Sequence, residues 1–191
     1  MELWEAIEKR RTIRKFSAPP TVQQLEQVLE AGARAPSAGN LQAWFVVVVN
    51  DSKTRERLGE IKKKLNAAFT PDTEKGHAML RIQKDAFNSC TSLVFYTYAP
   101  EPSDPHRYDM GSVWLLIENL CLAALEEGLG TQIVAFWDDA EKEVDQLLGI
   151  PEKYRQVVAV NMGVPHPNYQ PPAKVLKPKS KWIFKETWPR D

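Results

Sequence analysis

Residues 34–50, RAPSAGNLQAWFVVVVN, pass from a polar loop into a run of β-branched side chains, and the fold class turns on that passage. The run AWFVVVVN is apolar without alternation, which predicts a strand buried on both faces, begun by Trp44. The preceding loop carries Pro, Ser, Gly and Asn, the residues that interrupt regular structure. Before it, Thr21 and Gln24 form a capping box, and Leu25, Val28 and Leu29 predict a helix to about Ala33. Pro19 and Pro20 keep its approach extended. Leu3, Trp4 and Ile7 predict a short helix over 2–10.

Working toward the C-terminus, Asp51 or Ser52 is placed to cap a helix bearing Leu58, Ile61 and Leu65. A further helix is expected within 75–88, in a stretch (66–108) read as a candidate lid. Strands are expected at Thr91–Tyr98, Thr131–Phe136 and Gln156–Met162. Asp109 is expected to cap a long helix to about Glu127, stopped by Gly128. Apolar residues cover most of its circumference, so it should be central. Asp138 or Asp139 should cap a helix with Val144, Leu147 and Leu148, ended by Gly149 and Pro151. Residues 164–191 are Pro-rich yet hold Trp182, Ile183, Phe184 and Trp188, too many large apolar groups for a disordered tail. They read as an arm packing on a partner subunit, or on its own. The order of elements fits one α+β domain over 1–191, with a central mixed sheet flanked by helices. Its four strands leave room for a fifth from a partner's arm.

Bulk properties exclude several classes. Lys plus Arg and Asp plus Glu number 25 each, so the net charge is zero, against a dedicated nucleic-acid binder. The Lys62–Lys64 run reads as a solvated helix face. No apolar run approaches the ~20 residues that span a bilayer. The start, MELWEAIEKRR, turns from acidic to basic, the reverse of a signal peptide. Cys90 and Cys121 form no CxxC pair and read as reduced, buried thiols of a cytoplasmic protein. His77, His106 and His166 lie far apart with no ligand spacing, so no metal site is expected.

Two constellations carry chemistry. Arg10, Arg11, Thr12, Ile13, Arg14 and Lys15 place four cations in six residues after a short helix. An arginine fork donates two parallel hydrogen bonds and suits a phosphate ester. In an extended segment, Thr12 and Arg14 point one way and Ile13 the other, toward the core. Alone, the hexapeptide reads first as a solvated basic stretch. The second is Pro36, Ser37, Ala38, Gly39, Asn40, Leu41 and Gln42. Its amides offer donor and acceptor on one edge, as a heterocycle requires. Alone, it reads first as a polar turn satisfying its own backbone.

Together, RRTIRKF and APSAGNLQAW resemble the nitroreductase family of FMN enzymes. Asp109 with Gly111, Gly128-Leu129-Gly130 and Leu148-Gly149-Ile150-Pro151 extend the likeness over residues 3–165. The resemblance implies a cytoplasmic homodimer with FMN at the subunit interface. It implies that Arg10, Arg11, Thr12 and Arg14 hold the phosphate and the flavin's pyrimidine edge. Pro36, Ser37, Ala38 and Asn40 of the other subunit, with Gln42 behind them, would border the flavin. Ile133, Val134 and Ala135 would lie beside flavin N5, where a backbone N–H faces the changing charge. Val134, Phe136 and Trp137 are candidates to line the pocket. Lys177 and Lys179, with Lys181 near them, would reach the phosphate where the family commonly has Arg. The implied activity is ping-pong transfer of hydride from NAD(P)H through FMN to nitroaromatic, quinone or similar electron-poor acceptors, with no obligatory acid or base side chain. Relatives of this fold include reductive dehalogenases and an enzyme that consumes its own flavin. A non-enzymatic flavin-binding protein is the remaining alternative.

Overall fold

The computed structural model describes residues 1–99 and 108–187. His106, Trp188 and most of the Pro-rich stretch before Tyr108 lie outside the described residues. Six helices and five strands follow in the order α1 (Leu3–Lys9), β1 (Phe16–Ala18), α2 (Val22–Ala33), β2 (Phe45–Val49), α3 (Ser52–Ala67), α4 (Glu74–Asp85), β3 (Thr91–Tyr98), α5 (Asp109–Glu126), β4 (Gly130–Val134), α6 (Asp139–Leu148) and β5 (Tyr154–Pro165). Single 3₁₀ turns occupy Ala38–Asn40 and Lys179–Lys181.

Local chemistry accounts for the helix starts. The Thr21 hydroxyl accepts from the Gln24 N–H while the Gln24 side chain accepts from the Thr21 N–H, the reciprocal capping box. Asp51, not Ser52, caps α3 through the Thr54 N–H. Two expected caps are absent. Asp109 is the first residue of α5 rather than its cap; Tyr108 takes that position, and Asp109 is buried. Asp138 precedes α6 with φ +54° and makes no side-chain cap bond.

β5 is the spine of the sheet. It pairs with β3 along one stretch, with β4 from Gly163 to Ala159, and with β1 at Val164 and Pro165. β2 pairs with β3 and forms an edge. Every strand ladder is antiparallel. The sheet's mixed character rests on one parallel bridge, Thr12 to Thr131, which lays the Arg10–Lys15 segment along β4. Within the chain the fifth strand is β1. Its backbone groups are met within the chain by Val164 and Pro165, and the neighbouring Lys15 carbonyl accepts from the His166 N–H.

Two apolar layers sandwich the sheet. On one side α2 and α5 cover Leu93, Phe95, Val158, Val160 and Met162. On the other, Leu58 and Ile61 of α3, Phe87 and Val144 of α6 cover Val94, Tyr96, Val134 and Ala159. Consecutive β3 residues point to opposite layers, which is why that strand reads as an unbroken apolar run. β2 departs from expectation: Val46 and Val48 are exposed. As the edge strand it has a neighbour on one side alone, and the helices do not cover that flank. Likewise α5 buries Val113, Leu116, Ile117, Leu120, Cys121 and Ala124 but leaves Trp114 and Leu115 exposed.

Candidate functional site

The Arg10–Lys15 segment is extended and anchored at several points. Ile13 N–H donates to the Thr131 carbonyl at 2.9 Å, and the Ile13 side chain lies over Gly130. A Cβ at Gly130 would sit 2.5 Å from Ile13 Cγ1, so only glycine admits this crossing. Tyr169 Oη donates to the Thr12 carbonyl at 3.4 Å from the chain beyond β5. With Ile13 turned onto β4, Thr12 and Arg14 are left to the opposite side, as strand alternation requires.

The three arginines are not equivalent. Arg10 Nε lies 3.6 Å from Glu118 Oε1 on α5. Arg11 Nη1 folds back onto the Glu8 and Arg10 carbonyls at 2.6 and 3.0 Å. Arg14 has no ion-pair or side-chain hydrogen-bond partner among the described residues, so its five N–H donors are uncommitted.

β4 brings the next candidates close, because the Thr12 bridge lies two residues before Ile133 on the same strand. Val134 is 3% exposed and belongs to the core; Ile133 is 40% exposed and Ala135 also faces outward. The β4–β5 ladder ends at Val134–Ala159. Beyond it, the Ala135 carbonyl accepts from Lys62 Nζ at 2.8 Å. Lys62 is thus no part of a solvated face. Its ammonium lies 4.5 Å from the Trp137 ring centroid and 5.9 Å from that of Phe136, and burial pushes its pKa down to about 8. The signal was in the spacing: Leu58, Ile61, Lys62 and Leu65 share one helical stripe.

The loop Pro36–Gln42 is held in an unusual shape. Gly39, Asn40 and Gln42 have φ of 56°, 57° and 50°. Two non-glycine residues in the left-handed region cost of order 1 kcal/mol or more each and persist when surrounding contacts over-determine them. Those contacts are local. Ser37 Oγ accepts from the Gln42 N–H, and Gln42 Nε2 donates to Asn40 Oδ1 at 3.0 Å. Ala38 N–H donates to Ser112 Oγ on α5. Pro36, Ser37 and Ala38 line a concavity of about 410 Å³ with Tyr108, Gly111, Ser112 and Leu115.

Within one chain the two constellations are not joined by a hydrogen bond or ion pair among the described residues. Each leans on α5, through Ser112 and Glu118, six residues or about 9 Å of helix apart. Lys177 and Lys179 stand on the exposed arm with no ion pair among the described residues; the Lys177 carbonyl accepts from Trp182 Nε1. Ser112, Glu118 and Tyr169 escaped the sequence reading because nothing in their local spacing marks a long-range contact. Burial raises the thiol pKa of Cys90 and Cys121 to about 11, which keeps both protonated near neutral pH. Among the described residues no His, Cys, Asp and Glu gather as a metal site, and no helix is long and apolar enough to cross a membrane.

Comparison with known proteins places this geometry. The chain is 29% identical over 171 residues to an iodotyrosine deiodinase of Thermotoga neapolitana, covering 85% of this chain and 88% of that one. It is 29% identical over 184 residues to an NADPH-flavin oxidoreductase of Vibrio harveyi, covering 91% and 69%. A solved iodotyrosine deiodinase, bound to FMN and 3-iodo-L-tyrosine, superposes with a TM-score of 0.78 at 22% identity, over 98% of this chain and all of the other. The profile of the nitroreductase family matches residues 7–164, and the chain belongs to that family.

Proposed function

We propose that the protein is an FMN-dependent oxidoreductase that uses NAD(P)H to reduce small electron-poor acceptors, nitroaromatics and quinones among them, in a ping-pong cycle. The observation that carries the reading is the uncommitted Arg14 on a segment hydrogen-bonded along β4. The residues suit the cofactor. A phosphate ester needs charged donors, and Arg14 offers a free fork while Arg10 and Arg11 keep further N–H groups. An isoalloxazine edge needs paired donors and acceptors, and the exposed loop Ser37–Gln42 presents amides in a fixed backbone.

Arg10, Arg11, Thr12 and Arg14 bind the phosphate and the pyrimidine edge. Pro36, Ser37, Ala38, Asn40 and Gln42 border the ring from a second copy of the chain, because within one chain this loop makes no bond to the arginines. Ile133, Val134 and Ala135 flank the ring, and Lys177 and Lys179 add point charge at the phosphate. When bound, FMN supplies the two-electron redox chemistry. The chain orients it, excludes water and leaves the nicotinamide and the acceptor to share one pocket. The second copy would also cover the apolar surface left open here: Trp114 and Leu115 of α5, Leu3 and Trp4 of α1, and Trp182 and Ile183 of the arm.

The test is to incubate the purified protein with FMN, remove the excess on a desalting column and record the spectrum before and after anaerobic NADH or NADPH. Retained flavin bands that bleach support the reading; a folded protein retaining no flavin refutes it. A second reading, reductive dehalogenation, is favoured by the likeness to the Thermotoga neapolitana deiodinase. Halide release from a halogenated tyrosine under reducing conditions, with no turnover of a nitroaromatic, would select it.

A further inference from the structure

The Ala135 carbonyl emerges where the β4–β5 ladder stops and so lacks a strand partner. Lys62 of α3, four elements before β4, fills that vacancy with Nζ at 2.8 Å. The ammonium is half-buried against Trp137 and Phe136, and no carboxylate pairs with it among the described residues. An unpaired ammonium in such a place is costly unless it is held by a good acceptor. The turn it grips is itself constrained: Asp138, three residues on, has φ +54° and ψ −129°.

A trans peptide is planar, so its C=O and the next N–H point in opposite directions. Fixing the Ala135 carbonyl toward α3 therefore fixes the Phe136 N–H on the side away from α3. Phe136 is 6% exposed, and its N–H meets no acceptor among the described residues.

We propose that Lys62 is a positioning residue: it holds the Ala135–Phe136 peptide so that the Phe136 N–H stands as a preoriented donor toward the ring of the bound flavin. The inference rests on the FMN reading above and adds to it a residue on α3 that would set how readily the flavin is reduced. A donor fixed in advance favours the redox state that carries more negative charge at its acceptor, so releasing it changes the balance between oxidised and reduced flavin. Lys62→Met keeps the stem that packs on the rings but lets the peptide turn. A lysine that merely covers the core would change stability and leave the redox balance alone.

The experiment equilibrates FMN-loaded wild type, Lys62→Met and Lys62→Arg with a reference dye under nitrogen and reads the ratio of reduced to oxidised flavin. In Lys62→Met the ratio is expected to change about tenfold, equivalent to about 30 mV for a two-electron couple. Lys62→Arg, which keeps a charged donor, is expected to reverse most of that change. A Lys62→Met ratio equal to the wild type's overturns the proposal, even if its melting temperature falls. Wild type that retains no FMN overturns the FMN reading and this proposal with it, and is recognised before any variant is compared. If Lys62→Met does not fold, Lys62→Gln is read in the same way, and a wild-type ratio there also overturns the proposal.

Discussion

Replacing Arg14 by Gln isolates the phosphate contact. Arg10 already faces Glu118, and Arg11 spends Nη1 on two carbonyls; Arg14 alone of the three has every donor available. A charge-assisted hydrogen bond contributes about 1.5–3 kcal/mol net. One or two such bonds to a phosphate, not fully additive, amount to about 2–4 kcal/mol, or about 30- to 700-fold in Kd. The assay is equilibrium titration of flavin-free protein with FMN and, in parallel, with riboflavin, which lacks the phosphate. Arg14→Gln is expected to weaken FMN by that factor and riboflavin less than about threefold, since only the phosphate term is removed. Arg10→Gln is expected to cost FMN less than Arg14→Gln, because its guanidinium is shared with Glu118. Equal losses for the two flavins would refute a phosphate role for Arg14. So would an FMN loss below about threefold, which is under 1 kcal/mol.

Three further outcomes follow from the geometry. Arg55 is 8% exposed and donates Nη1 to the Phe87, Asn88 and Cys90 carbonyls at 3.1, 2.8 and 2.6 Å. Arg55→Met should destabilise by about 3–5 kcal/mol, lowering Tm by roughly 10 °C at fixed protein concentration, as read by calorimetry. Burial lowers the Lys62 pKa from 10.5 to about 8, so between those values the unfolded chain holds a proton that the fold has released. Stability from this group therefore rises with pH through that window and is lost as pH falls through about 8; discounted for its half exposure, the rise is about 1–2 kcal/mol. Denaturant titrations at pH 7 and pH 10 should show it in the wild type and not in Lys62→Met. Asp138→Gly should relieve the strain at φ +54°, where Asp makes no cap bond, and raise Tm by about 2–4 °C; a fall in Tm would contradict the assigned strain.

Much of the fold was readable because its signals are local. The capping box at Thr21 and Gln24, the Asp51 cap and the apolar run of β3 each depend on residues a few positions apart. The misreadings have a common cause. Asp109 looked like a cap, yet it lies inside the helix and is buried. Val46 and Val48 looked doubly buried, but an edge position is a property of the whole sheet. The strand at Phe16 went unread, because a three-residue segment is too short to announce itself by periodicity. Lys62 sat in a run of three lysines, and its charge outweighed its place on the apolar stripe.

The sequence by itself determined the α+β class, the positions of the main helices and strands, the two constellations and the family to which they point. All of these are written in spacings that the backbone's own periods of 2 and 3.6 convert directly into faces. The tertiary structure alone decided which arginine is free, since that depends on Glu118, more than a hundred residues from Arg10. It alone brought α3 to the end of β4 and turned Lys62 toward a carbonyl. Ion-pair choice and backbone satisfaction depend on distance in space, and no local pattern encodes which distant group will be near.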